Sequence, residues 1–79
     1  MTANDALTLF TEALEESPGF ISMDTVIADV PEWTSLVWLT IMSMLDEKYN
    51  VQLSTKEIRS FKTVKDAADL LMAKVEVAG

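Results

Sequence analysis

The stretch Asp29-Val30-Pro31-Glu32-Trp33-Thr34-Ser35-Leu36 decides how this chain is read, because loop gives way to helix within it. Upstream, residues 17 to 34 contain Pro18, Gly19 and Pro31 together with Ser22, Asp24 and Asp29, the composition of a loop. That loop also carries Phe20, Ile21, Met23, Val26, Ile27, Val30 and Trp33, so it is expected to pack over the core. Loops of this length in compact domains usually serve a function. A short helical turn is expected near residues 24 to 28. Downstream, residues 35 to 49 read as a helix. Leu39, Met42, Leu45 and Tyr49 form one apolar stripe, and Val37, Trp38, Ile41 and Met44 widen it well beyond one face. A helix apolar over so much of its circumference is central or docks to something. Ser35 therefore stands at a junction between a long loop and a helix.

Outward from that junction, the rest of the chain is helical. Residues 4 to 16 place Leu7, Phe10 and Leu14 on one face, with Asn4 or Asp5 as the cap and Pro18-Gly19 as the stop. Residues 55 to 60 read as a short helix opened by the capping box of Ser54 and Glu57. Residues 64 to 75 read as the last helix, capped in the same way by Thr63 and Asp66, with Val64, Ala67, Ala68, Leu71 and Val75 as the cleanest amphipathic stripe in the chain. Residues 76 to 79 are expected to fray. Phe20-Ile21 and Val51-Gln52-Leu53 are too short to pair as strands. The expectation is an all-α bundle, a single domain over residues 1 to 79, in the order helix, long loop, helix, short helix, helix.

Composition removes most classes of chemistry. The chain has no cysteine and no histidine, which excludes disulfides, thiol catalysis, cysteine-ligated metal and the commonest general base. With 13 acidic and 6 basic residues the net charge is −7, a surface that repels nucleic acid and anionic membranes and attracts basic protein partners. No apolar run approaches the roughly 20 residues that span a bilayer. Met1-Thr2-Ala3-Asn4-Asp5 lacks the basic start of a secretory signal, so a soluble, cytoplasmic protein is expected. Asp29 and Glu32 near Ser35 offer carboxylates, but nothing accompanies them that would build an enzyme.

Ser35 is the candidate for chemistry. A hydroxyl at a loop-to-helix junction is reachable by another enzyme. Free backbone N–H groups and the positive end of the helix dipole there favour an attached anion, typically by about 0.3–1 kcal/mol. On spacing alone the stronger reading is that Ser35 or Thr34 simply caps the helix.

The order of residues adds a resemblance. The segment from Asp29 to Leu36 resembles the attachment site of acyl carrier proteins, specialised members of which read Trp-Asp-Ser-Leu. Leu45-Asp46-Glu47-Lys48-Tyr49-Asn50-Val51 is similar to the end of that family's second helix, and Phe61-Lys62-Thr63-Val64-Lys65-Asp66-Ala67 to the opening of its last. The three segments fall in family order and spacing over residues 5 to 75. The resemblance implies a four-helix bundle that is not an enzyme, with a 4′-phosphopantetheine arm moved from coenzyme A onto Ser35 by a phosphopantetheinyl transferase. It implies that the arm's thiol carries acyl groups as thioesters to partner enzymes of fatty-acid or specialised biosynthesis, with the second helix as the docking surface. It also implies an acyl chain tucked among Met42, Leu45, Ile58, Phe61 and Leu71, residues that equally read as ordinary core. No metal is implied, and the family is usually monomeric.

Two departures set this chain apart. Thr34 stands where the family has aspartate, keeping a capping hydroxyl and losing a charge. Slower modification, a different transferase or no modification at all are each compatible with it. Val37 and Thr40 occupy places that are acidic in carriers of fatty-acid synthesis, and an exposed Val37 beside Trp38 is expected to favour apolar docking. A specialised carrier serving an acyl-adenylating or condensing enzyme is the reading that results. The alternative is an unmodified, carrier-like scaffold that only binds a partner protein.

Overall fold

Three of the four helices begin on the same reciprocal hydrogen-bond device, as short-range sequence signals require. In a computed structural model describing residues Met1–Ala78, α1 spans Ala3–Ala13, α2 Ser35–Tyr49, α3 Thr55–Ser60 and α4 Val64–Ala78. At α1 the Asp5 N–H donates to Thr2 Oγ1 at 3.1 Å, and the Thr2 N–H donates to Asp5 Oδ2 at 2.9 Å. Ser54 and Glu57 repeat the arrangement at α3, at 3.1 and 2.8 Å. Thr63 and Asp66 repeat it at α4, at 3.2 and 3.1 Å, with a further Lys62 N–H on the Asp66 carboxylate. The cap of α1 is therefore Thr2, and Asp5 is its box partner rather than the cap expected from residues 4 and 5.

The first helix also stops earlier than residue 16. Leu14 is its last cap, and Glu15 turns into the left-handed region at φ 59°. The Glu15 N–H then reaches Glu12 O at 3.0 Å and the Glu16 N–H reaches Thr11 O at 3.2 Å, a Schellman closure. Glycine usually holds that position because an L side chain is strained there. The Pro18-Gly19 pair follows this stop and does not cause it.

The core lies where α1 meets α4 and α2. Phe10, Ile41, Leu45, Val64 and Leu71 are its largest fully buried side chains. Ala6, Ala67 and Ala68 have no exposed surface, so α1 and α4 present small residues to the interior. The sequence stripe of α4 is confirmed at Val64, Ala67, Ala68 and Leu71, while Val75 is half-buried and the helix runs on to Ala78 instead of fraying from residue 76. Gly79, the last residue of the expected frayed tail, lies outside the described residues. None of the residues of α3 is fully buried. It is tethered by Lys74, whose Nζ donates to Glu57 Oε1 at 2.8 Å and to Gln52 O at 2.9 Å.

The loop before α2 is tied down along its length. Its one regular piece is a 3-10 turn over Ile27–Asp29, a little later than the expected turn at residues 24 to 28. Ile27 N–H donates to Lys62 O, Val64 N–H to Thr25 O and Lys65 N–H to Met23 O, all at 2.9–3.0 Å, making an isolated antiparallel bridge between Val26 and Thr63. Ile21, Val30 and Trp33 are the loop's buried apolar anchors.

Two outcomes follow for stability. Glu15→Gly should raise stability by about 0.5–1 kcal/mol by removing the left-handed strain, read as an upward shift of several degrees in Tm. The Asp66 carboxyl is held below its ordinary value by the backbone N–H groups of Thr63 and Lys62. A depressed folded-state pKa gives stability that is present above the unfolded value of about 4 and lost as pH falls through the folded one. Asp66→Asn should therefore be less stable than the unsubstituted chain at neutral pH, and the gap should narrow in chemical denaturation as pH falls below the unfolded value of about 4.

Candidate functional site

The junction before α2 is set by aromatic packing. Trp33 is buried with its ring centroid 5.5 Å from that of Phe10 on α1 and 5.2 Å from that of Trp38 on α2. Trp38 in turn lies 5.8 Å from Phe61, just past α3. Such tilted pairs contribute about 0.5–1.5 kcal/mol each beyond the area they bury. With Trp33 held inside, the chain emerges at Thr34 in extended conformation (φ −96°, ψ 177°), and the Trp38 N–H donates to Thr34 O at 3.2 Å as the first bond of the helix.

Ser35 is thus the first residue of α2, and it is exposed. Thr34 is the N-cap, yet its side chain makes no capping hydrogen bond. The capping hydroxyl expected of Thr34 is present but unused. The first turn of α2 also contains no acidic residue. The N–H groups of this turn, which have no partners within a helix, are therefore not covered by Thr34 or by a carboxylate of that turn. The dipole charge of a 15-residue helix is left open beside the Ser35 hydroxyl. An oxygen nucleophile and uncovered donors in one place suit a phosphate ester, and the exposed hydroxyls here are those of Thr34 and Ser35.

The faces of α2 differ from the sequence expectation in two respects. Ile41 and Leu45 are its fully buried residues, whereas Leu39, which shares an apolar stripe with Leu45, is 59% exposed. Val37 is half-buried against the core, not exposed; the exposed apolar residue beside Ser35 is Leu36, at 74%. The polar residues Thr40, Ser43 and Glu47 follow Leu36 at helical spacing and mark the solvent face, a signal obscured by the high apolar content of the whole helix. Thr40 Oγ1 donates to Leu36 O at 3.1 Å. Asp46 and Glu47 are exposed at the other end of α2, and Asp29 and Glu32 are exposed on the loop.

Of the five residues read as walls for an acyl chain, Leu45 and Leu71 are fully buried in the core, and Met42, Ile58 and Phe61 pack against it half-buried. Met42 lies on α2, Ile58 on α3 and Phe61 at the end of α3. Among the described residues, no group of three or more carboxylate, histidine or cysteine side chains gathers as a metal site, and no helix is long and apolar enough to cross a membrane.

The helical bundle thus presents an exposed serine at a helix start that no side chain caps, and comparison with known proteins adds the following. No family model matches the chain. Acyl carrier proteins of two strains of Tropheryma whipplei, Twist and TW08/27, are each 29% identical over 55 residues, covering 70% of this chain and 67% of theirs. The solution structure of the holo acyl carrier protein of Geobacter metallireducens superposes with a TM-score of 0.78 at 22% identity, covering 96% of this chain and 87% of that one. The chain is similar in sequence to acyl carrier proteins, and its fold is theirs.

The unused cap makes a direct prediction. Thr34→Ala should change stability little, since no hydrogen bond is lost, whereas Ser54→Ala should cost about 1 kcal/mol. Thr34→Asp should stabilise by about 0.5–1 kcal/mol at neutral pH, and by less once the new carboxylate is protonated below about pH 4. Thermal melts of the three variants at pH 7 and pH 3 read all of these effects.

Proposed function

We propose that this protein is an acyl carrier protein whose phosphopantetheine arm is esterified to Ser35. The observation that carries the proposal is the exposed Ser35 hydroxyl at the start of α2, where neither the Thr34 side chain nor a first-turn carboxylate covers the backbone donors. The holo state named for the Geobacter metallireducens neighbour is in keeping with it. In the loading step the Ser35 oxygen forms a new bond to a phosphorus of the coenzyme A pyrophosphate. The bond to the adenosine bisphosphate half breaks, and the hydroxyl proton passes to a base on the transferase. Once attached, the arm supplies the thiol that this cysteine-free chain lacks and carries acyl groups as thioesters.

The chain's own residues do three things in this reading. The first-turn N–H groups and the helix dipole stabilise the phosphodiester beside them. Trp33, clamped between Phe10 and Trp38, holds the serine outward at a fixed place. Met42, Ile58 and Phe61 offer an apolar lining on the α3 side, where the polarizable Met42 side chain can repack around a guest chain. The partners would be a phosphopantetheinyl transferase and acyl-adenylating or condensing enzymes, with no catalysis by the carrier itself.

Exposed Leu36 and Leu39, with Thr34 in place of aspartate, favour a second reading, a scaffold that docks to a partner without an arm. Incubation with coenzyme A and a broad-specificity phosphopantetheinyl transferase separates the two. Intact mass should rise by one phosphopantetheine in the unsubstituted chain and remain unchanged in Ser35→Ala. No mass gain in the unsubstituted chain or in Thr34→Asp would refute the carrier reading and leave the scaffold.

A further inference from the structure

The core of this bundle encloses few polar side-chain groups, and two of them contrast. Thr11 is buried and satisfied, its Oγ1 donating to Leu7 O at 2.7 Å. Trp33 is 8% exposed, its Nε1–H is enclosed, and no acceptor among the described residues lies within hydrogen-bond distance of it. An enclosed donor without an acceptor is costly, and folded proteins rarely keep one. A phenylalanine at this position could meet the rings of Phe10 and Trp38 with no N–H at all, so the indole carries a donor that the aromatic stack does not use.

The surroundings restrict the acceptor. Ring contacts run from Trp33 to Trp38 and from Trp38 to Phe61, and the last two are half-buried, so the enclosed indole is continuous with partly open apolar surface. A carboxylate or phosphate would lose its hydration there without a counter-charge. A hydroxyl would bring a second donor in need of a partner, whereas a ketone oxygen only accepts. Trp33 lies two residues before Ser35, so their Cα atoms are within about 7 Å of each other, and a long arm rooted on Ser35 can fold its far end back onto these rings. A saturated chain packed there would leave the Nε1–H unpaired, and a site with a donor to satisfy discriminates against a guest that lacks the acceptor. We infer that the Trp33 Nε1–H is a specificity-determining donor to a ketone oxygen of the acyl cargo, and that this carrier holds 3-oxoacyl chains in preference to saturated ones. The thioester carbonyl, common to every acyl group, confers no such preference. The inference rests on Ser35 as the site of the arm.

The test uses the full chain, loaded by a broad-specificity phosphopantetheinyl transferase from coenzyme A, octanoyl-coenzyme A or 3-oxooctanoyl-coenzyme A, with intact mass confirming each product. The indole N–H signals are followed by nitrogen–proton NMR correlation, and Trp38→Phe tells which of them is Trp33. The Trp33 signal should move downfield in the 3-oxooctanoyl form alone, and its exchange with deuterium should slow about tenfold relative to the octanoyl form, the effect of one net hydrogen bond. Melting temperature gives a second readout. The Tm difference between the 3-oxooctanoyl and octanoyl forms should favour the 3-oxo cargo by several degrees more in the unsubstituted chain than in Trp33→Phe, which keeps a ring and removes the donor. Equal indole signals in the octanoyl and 3-oxooctanoyl forms, the result expected if a trapped water is the standing acceptor, overturn the inference. So does a shift of the same size in the form loaded from coenzyme A alone, which assigns the acceptor to the arm's own amides. A chain that gains no mass rejects Ser35 as the attachment site and this inference with it. A loaded chain whose Trp33 signal stays in place rejects the inference alone.

Discussion

The position of the Ser35 hydroxyl depends on one buried indole. Trp33 sits between Phe10 and Trp38, and the start of α2 is wherever that stack leaves it. Burying a large side chain and making two ring contacts stabilises this arrangement by a few kcal/mol. Its Nε1–H has no partner in the interior, a cost of about 1–3 kcal/mol that offsets part of the gain. The long loop delivers Trp33 to that place because its middle is hydrogen-bonded to the turn between α3 and α4. A hydroxyl on a free loop would be equally accessible but would have no fixed relation to the helix donors beside it. The aromatic stack converts a flexible approach into a defined one.

The bundle divides into a tight side and a loose side. On the tight side the alanines Ala6, Ala67 and Ala68 are wholly buried, and Phe10 and Leu71 fill the interior between α1 and α4. On the loose side α3 contributes no fully buried residue and depends on half-buried Ile58, neighbouring Phe61 and the Lys74 tether to Glu57 and Gln52. Local opening has the lowest free energy where buried apolar contact is least, which in this bundle is α3, linked to the aromatic stack through Phe61 and Trp38. The Glu57 carboxyl is kept below its ordinary value first by Lys74 and then by the Ser54 N–H, so one side chain serves both the tether and the helix cap.

Local signals were legible in the sequence, and signals that depend on tertiary packing were not. Ser54 with Glu57 and Thr63 with Asp66 are read correctly because each capping box is complete within four residues. The stripe of α4 is legible because its polar and apolar positions alternate cleanly at helical spacing. The Thr2 box is equally short but is masked by Asn4 and Asp5, which are cap-forming residues themselves, and nothing in an ordinary glutamate announces the left-handed turn at Glu15. On α2 the apolar residues run around most of the helix, so periodicity alone could not tell that Leu39 faces water while Ile41 is enclosed. The serine proposed as the attachment site is singled out by the order of its neighbouring residues. The uncapped state of its helix and the enclosed, unpartnered Nε1–H of Trp33 exist only once α1 and α2 are packed together.

The chain has two tryptophans, and both belong to the stack before α2. Their rings lie 5.2 Å apart at an inclination of 42°, close enough for their electronic transitions to mix. The absorption and emission of this protein therefore come almost wholly from one corner of the molecule, two residues from the serine. The fold carries a built-in optical gauge of that corner, sensitive to its geometry and nearly blind to the rest of the bundle.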